Sequence, residues 1–441
     1  MTRADGTGAP TAPRARFGRS STPGGDPRRS GAVLIFFAFF FLAFFGLFAV
    51  VVDLGIARTT QLQMQSSADV AALEGLAGRD LDPSDFAASD LARRQLASAF
   101  AGLVFDEDLD RSTAPDQFLL GAGPVLDNGV AGVDMPAGGL LVAGAPYLPA
   151  LQTNEAANVQ SGDLVAGTYE SVDPVDPGRV DWHREASDYG RPDFVADASG
   201  TAFLARLRRT RPTEPLDRVP GVSSAGPTLP YLFGLGSGAL STPDADVYDP
   251  RRDGITVRAV AVADARRATA AGLAQPGFPG LAPVARDVAT GSVRWLSFDE
   301  AAWIAAPPDL AFTVDVDGSG AVSGPITGAA VFGQAQLGGR LAEGTAQIPA
   351  TAPAELAGIL YASLHARDAT AGVLRVRGFV AVQVLSVTVV PGGALRIQAS
   401  KVGPYIAPRN ATAQPTAAAD AAFALPPPAG GDALLAPVLA R

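Results

Sequence analysis

The sequence predicts an α+β protein: a single N-terminal transmembrane helix extended into a long helix, followed by a β-rich extracytoplasmic domain with a few short helices. Three observations carry that prediction. Residues 32–52 (AVLIFFAFFFLAFFGLFAVVV) hold no charge and no hydrogen-bonding side chain, and sixteen of the twenty-one are Val, Leu, Ile or Phe. Residues 53–78 continue without proline, largely in good helix formers. From about residue 115 the apolar period falls to two, and Gly and Pro, 49 and 36 in the chain, punctuate it with turns.

Residues 1–31 are polar and rich in Pro, Gly and Arg, without periodicity, and read as a disordered basic cytoplasmic arm. Six Arg against Asp5 and Asp26 give the arm a charge of +4, whereas residues 53–441 carry −14 of the net −10. A basic segment before a span and an acidic body after it place the N-terminus in the cytoplasm and the body outside the cytoplasmic (inner) membrane. The acidic body argues against nucleic acid as a partner, because phosphate binding needs a basic surface. With no cysteine, thiolate zinc sites and cysteine nucleophiles are excluded.

The run 32–52 is long enough to cross the hydrocarbon core, at roughly 31 Å for a helix of that length. It favours the bilayer by about 5–10 kcal/mol on an insertion scale. It is longer than a usual signal h-region and no A-x-A site follows it, so a retained signal-anchor is expected. Residues 53–78 (DLGIARTTQLQMQSSADVAALEGLAG) extend the helix, with Thr59, Thr60 and the Ser66–Ser67 pair as candidate bends; Gly78-Arg79-Asp80 and Pro83 end it.

A helical connector fills 79–114. Its helix is expected over 82–103, with Asp82 as N-cap, Pro83 in the first turn, and a buried stripe of Ala88, Ala92, Leu96, Ala99 and Leu103. Arg93 and Arg94 are placed outward. The β-rich region is bounded at 115–403. Strands are read at Gly139–Ala143, Leu164–Glu170, Phe203–Arg209, Ile255–Ala263, Leu310–Val316, Gly378–Val390 and Ala394–Ser400, the last two joined at Pro391-Gly392-Gly393. Ala352–His365 reads as a short amphipathic helix. Residues 404–441, Ala/Pro-rich around Pro426–Pro428, read as a mobile tail.

The stretch around the span carries a recognisable pattern: Val52-Asp53-Leu54-Gly55, Arg58, Leu62-Gln63, then Ala68-Asp69-Val70-Ala71-Ala72-Leu73-Glu74-Gly75. It resembles the N-terminal membrane module of TadG-like proteins of the Flp/Tad (tight adherence) pilus-assembly system, over about residues 29–78. The resemblance implies a single-pass envelope protein that accompanies a type IV-like pilus machine. More weakly, Ser161–Tyr169, Val222–Gly236 and Ile255–Ala263 are similar to strands and a Pro-Leu-Phe segment of the same relatives. Pseudopilins of that system carry Glu on the fifth residue after the processing Gly; here Gly31 is followed at that place by Phe36, so the helix is expected to stay uncut. Some long relatives carry a metal-binding D-x-S-x-S string, and Asp317-Gly318-Ser319-Gly320-Ala321 lacks its second Ser.

Candidate chemistry is sparse. Asp315, Asp317 and Ser319, with Gly320, match the opening of a calcium loop, but Ile326 stands where the bidentate Glu belongs, and a tight turn accounts for the same residues. His183 lies among Asp173, Asp176, Asp181, Glu185 and Asp188, which also reads as a solvated acidic loop. His183 and His365 are the two histidines, so a Ser-His-Asp hydrolase would need one of them; no nucleophile elbow, zinc-helix or phosphate-loop string occurs. Arg206, Arg208, Arg209 and Arg211 form a basic strand face that serves either internal pairing or a partner.

Asp53, Arg58 and Asp69 are the residues expected to make membrane or partner contacts. For Asp53 two readings stand: an ordinary interfacial residue, or a polar contact to another membrane helix. The function these features favour is a non-enzymatic, membrane-anchored component of Flp/Tad-type pilus assembly or a related surface-secretion system. It needs no cofactor and partners the lipid bilayer and other pilus-assembly or membrane-helix proteins. The alternatives are an envelope adhesin or glycan-binding surface protein on the same anchor, and an anchored hydrolase.

Overall fold

A computed structural model describes residues 27–80, 86–105, 158, 160, 162–169, 194–209, 255, 257–275, 277–286, 290–315, 321–342, 356–368, 372–413 and 432–440. It shows the α+β architecture: one long apolar helix, then a strand-rich domain with short helices. Helix α1 (Pro27–Ala77) is continuous through Thr59, Thr60 and Ser66–Ser67. Thr59 Oγ1 donates to the Gly55 carbonyl at 2.9 Å, so its hydroxyl is satisfied inside the helix. The helix begins within the last residues of the expected cytoplasmic arm, because Arg28, Arg29 and Ser30 extend it without a breaker. It stops where expected: Gly78 N–H donates back to Glu74 O at 3.0 Å, and residues 78–80 turn.

Helix α2 (Phe86–Phe105) overlaps the expected second helix, but its face is rotated. Ala92 and Ala99 are exposed, and the buried positions are Ser89, Asp90, Arg93, Arg94, Ala97 and Ala101. Arg93 and Arg94 therefore point inward, a correction to the outward placement. Asp90 pairs with both, and Ala198 O accepts from Arg93 Nη2 at 2.7 Å, so the two charges are buried with partners. Asp82 and Pro83 fall outside the described residues.

The strands in chain order are β1 (Leu164–Tyr169), β2 (Phe194–Ala196), β3 (Ala202–Arg209), β4 (Val257–Arg267), β5 (Ala270–Ala271), β6 (Pro283–Arg286), β7 (Val293–Asp299), β8 (Asp309–Val314) and β9 (Ala321–Ser323). They continue as β10 (Gly328–Gly333), β11 (Arg340–Ala342), β12 (Gly358–Arg367), β13 (Leu374–Val389), β14 (Leu395–Val402), β15 (Tyr405–Ile406), β16 (Ala411–Thr412) and β17 (Leu434–Leu439). A third helix, α3 (Glu300–Ala305), follows β7, with the Asp299 carboxylate capping Ala302 N–H at 3.0 Å. Gly139–Ala143 and Val222–Gly236 lie outside the described residues.

Two large sheets result, with β5 and β16 forming a separate two-stranded pair. The first is an open sheet in the order β15-β17-β4-β3-β1-β2. Its faces alternate as period two demands: Phe203, Ala205 and Leu207 of β3 and Ala259, Ala261 and Ala263 of β4 face α1 and α2. Leu204 and Val262 face the other side. The second sheet runs β11-β10-β9-β8-β14-β13-β12-β7-β6, and a further pairing of β10 with β7 closes its middle seven strands into a ring. Leu296, Phe298, Phe312, Leu360, Leu364, Val380, Val382 and Ile397 fill the ring. Their neighbours Trp295, Tyr361, Phe379 and Ala381 pack outside it, with Tyr405 and Leu434 of the open sheet.

Two further expectations are corrected here. Residues 358–365 form strand β12, not part of an amphipathic helix. Leu356, Leu360 and Leu364 recur every four residues and imitate a helical stripe, but β12 is buried on both faces between β13 and β7, so no period of two shows. The C-terminal stretch, expected as a mobile tail, contributes β15, β16 and β17. Leu434–Leu439 pairs antiparallel with β4, and Leu434 and Ala436 are fully buried. The β13–β14 hairpin is where expected; Gly392 and Gly393 take φ +100° and +85°, which only glycine adopts at low cost.

Candidate functional site

The site is built on α1, one helix in two surroundings. Residues 33–48 are all exposed, with Phe36 at 75% and Leu42 at 73% exposure. From Asp53 onward one face of the same helix lies on the protein's own body. Met64, Ala68, Ala71, Ala72 and Leu76 are fully buried, against Leu164, Ala166, Phe203, Ala205, Ala259 and Ala261. The small residues let helix and sheet approach closely. Gly75 marks the limit: a Cβ there would stand 2.5 Å from the Phe203 ring. Burial of Met64 and Leu76 stabilises this seat by roughly 1.5–3 kcal/mol each.

Polar residues pin the register. Gln65 Nε2 donates to Asp69 Oδ1 at 2.9 Å and to Val260 O of β4 at 3.0 Å. Ser67 Oγ donates to Ala101 O of α2 at 2.9 Å. Asp69 thus holds Gln65, and through it the sheet. Asp53 is buried, at 5% exposure, within this chain. Arg58 is exposed and donates to Gln61 Oε1 at 3.0 Å. Of the three expected contact residues, Arg58 alone stands on the exposed face, where Leu54 and Leu62 are 62% and 57% exposed.

At its upper end α1 is tied down by charge. Asp80 Oδ2 accepts from Ile406 N–H of β15 at 2.6 Å and lies 3.4 Å from Arg79 Nη1. Burial raises the Asp80 carboxyl above its ordinary value, with the Ile406 N–H and the Arg79 and Arg93 charges pulling the other way. Burial likewise lowers Arg93, opposed by Asp90. Tyr405 is pushed up to about 12 by burial and by the Asp80 charge. Gly78 permits α2 to cross here, since a Cβ would meet the Arg93 Cβ at 2.9 Å. Beside this joint a cleft of about 460 Å³ opens between the helices and the strands, lined by Leu96, Phe100, Phe278 and Tyr405, with Glu74 and Arg409 as its charges.

The other sequence candidates fall elsewhere. Asp315 follows β8; its N–H donates to Ala321 O at 2.9 Å and its carboxylate accepts from Ser323 Oγ at 3.2 Å, so it ties β8 to β9. Asp317, Ser319 and His183 lie outside the described residues. Among the described residues no group of three or more His, Cys, Asp or Glu is placed to hold a metal ion. Arg206 is buried and donates to Gln160 O and Gly162 O at 2.9 and 2.8 Å, so on β3 it serves internal packing.

His365 does meet a serine. Its Nδ1 is 2.7 Å from Ser297 Oγ, while Ser363 Oγ donates to Ser297 Oγ at 2.8 Å and Ser297 Oγ donates to Ser363 O at 3.1 Å. The direction of the Ser297–His365 bond follows the imidazole tautomer; the geometry itself is a three-membered buried cluster shared between two strands. Ser297 and Ser363 are fully buried and His365 is 6% exposed, so the cluster ties β7 to β12 away from solvent.

Geometry therefore defines a class: a strand-rich domain seated on the second half of a helix whose first half is long and apolar enough to cross a membrane. Residues 31–80 match the family model described as putative Flp pilus-assembly TadE/G-like. No curated protein and no solved structure matches the chain. The match ends on Asp80, the residue that ties α1 to β15, and spans both the bare and the seated half of the helix. The sequence reading had Gly75 in the pattern, Asp80 in the helix stop and Arg93 outward, and missed the packing role of each. The spacing Ala68, Ala71, Ala72, Gly75 was a readable small-residue face; nothing local marked Asp80 or Arg93.

Proposed function

We propose that this protein is a membrane-anchored, non-enzymatic component of Flp/Tad-type pilus assembly or a related surface-secretion system. The helix of residues 32–52 would cross the cytoplasmic membrane with the N-terminus inside, and the strand-rich domain would work outside. The observation that carries this reading is the TadE/G-like match at 31–80 on a helix whose residues 33–48 are all exposed and uncharged. The seat supports it mechanically: the domain is packed along α1 from Asp53 upward, so it would stand directly on the bilayer. A force or a conformational change at the helix would reach the sheet through Gln65, Gly75 and Asp80. The exposed Leu54–Arg58–Leu62 face remains for lateral contact with other membrane helices or pilus-assembly proteins. The burial of the Ser297–His365 pair supports a role without hydrolysis.

Deletion of the gene tests the reading. Loss of surface pili or of surface adhesion, restored by the full chain, is the expected result; normal pili, adhesion and envelope secretion in the mutant would overturn it. Protease added to intact spheroplasts should digest the strand-rich domain and spare residues 1–31.

A further inference from the structure

Among the described residues, the β13–β14 hairpin carries a ledge with no strand on one side. The β12–β13 ladder ends at Gly358↔Val384, where Gly358, at φ +81°, turns its chain off the sheet. Strand β13 runs on through Leu385–Val389, where β14 is its one partner among the described residues. The direction of its backbone groups follows from one bond: Val390 N–H donates to Ala394 O at 2.9 Å, so Val390, and two residues back Thr388, point at β14. Strict alternation then sends the N–H and C=O of Val387 and Val389 to the open side. Leu385 is the extra residue at the register shift between Val384 and Ser386. No other strand among the described residues pairs with this run.

The segment is built for pairing. Leu385, Ser386, Val387, Thr388 and Val389 carry no charge and no proline, and Leu385 and Val389 are each 62% exposed. Edge strands are ordinarily guarded by lysine, proline or a covering loop, because their free amides template a further strand.

We propose that this ledge pairs antiparallel with the same ledge of a second copy of the chain. A two-fold axis through Thr388 sets Val387 of one copy opposite Val389 of the other, and the reverse, closing four backbone hydrogen bonds. The arrangement is self-complementary because the two outward residues are symmetric about Thr388. With no charge on the run, the axis opposes no like charges. The run spans only about 17 Å of strand, far short of the roughly 1,200 Å² that a stable interface in solution buries. Pairing therefore relies on anchored copies held at high effective concentration in one membrane, and so rests on the anchoring proposed above.

The chain has no cysteine, so Thr388→Cys introduces a sole thiol. Across the axis the two residues form a non-hydrogen-bonded pair with Cα atoms about 4.5 Å apart, within disulfide range. Mild oxidation of native membranes holding T388C should give a disulfide dimer within minutes. R396C, exposed one strand away on β14, should give less than a tenth as much. Adding Val389→Pro to T388C removes an outward N–H at an exposed position without breaking a bond to β14; it should abolish the dimer and leave the melting temperature unchanged. A T388C chain in the membrane pellet that cross-links no faster than R396C, or to a different protein, overturns the pairing. Undiminished cross-linking in V389P/T388C also overturns it. A chain found in the soluble fraction overturns the anchor, and with it the pairing that depends on it.

Discussion

The two halves of α1 share a backbone conformation and differ in what they are shaped to meet. Residues 33–52 present Phe, Leu and Val in every direction, with Phe36, Leu34 and Leu42 all above 70% exposed. Residues 53–77 present Ala, Gly and Met on one face, fully buried, and Arg58, Gln61 and Ser66 on the other. Large apolar residues all round suit a solvent of hydrocarbon chains; small residues on one face suit a sheet that must approach closely. The difference teaches that the family pattern in this helix is mainly a packing pattern. Ala68, Ala71, Ala72 and Gly75 are its recurring small residues, and each lies against the open sheet or α2.

The comparison can be broken most strongly in the bare half. Phe41→Arg with Phe44→Arg should cost about 5–7 kcal/mol of insertion free energy and move the protein from membrane to soluble fraction, with the strand-rich domain still folded by circular dichroism. Next is Gly75→Leu, which drives a side chain into the Phe203 ring. It should destabilise the domain by about 1–3 kcal/mol in a denaturant melt while leaving membrane fractionation unchanged. If membrane fractionation changes as well, the two halves are not independent.

Asp80→Ala leaves the Ile406 N–H and Arg79 without their carboxylate and should cost about 1–3 kcal/mol. Asp80→Asn retains an acceptor and should cost less. The pH dependence has a definite sign. The folded carboxyl is raised, so the folded state holds its proton more tightly than the unfolded state does. This group's contribution is therefore fullest below the unfolded value of 3.8 and falls as pH rises from there through the raised folded value. Urea melts across that window should show a declining term that D80N lacks. The smallest effect belongs to the exposed face: Arg58→Ala should shift stability by less than about 0.5 kcal/mol, so any larger loss of pili in that variant reports a partner.

Legibility followed the range of the interactions. The apolar run, the helix stop at Gly78 and the Pro391-Gly392-Gly393 hairpin are local, and each was readable from adjacent residues. Strands β1, β3, β4, β8, β13 and β14 were placed to within a few residues by period two and turn residues. The face of α2 was misread because Asp90 and Ala198, neither an apolar signal, make burial of Arg93 and Arg94 tolerable. Strand β12 was misread because burial on both faces erases alternation. Strand β17 was hidden in an Ala/Pro-rich tail; its order comes from β4, more than 160 residues earlier in the chain.

By itself the sequence determined that the chain has one helix fit for a bilayer, continued into an amphipathic segment ahead of a β-rich body, since hydrophobicity, helix propensity and turn chemistry act over a few residues. Only the tertiary structure decided that the second half of that helix is seated on an open sheet, that Asp69, Gly75 and Asp80 hold it there, that His365 is tied to Ser297 out of solvent, and that β13 overruns its neighbour at Gly358. Those outcomes depend on which distant surfaces meet, and the free energy of meeting is written in no single stretch of the chain.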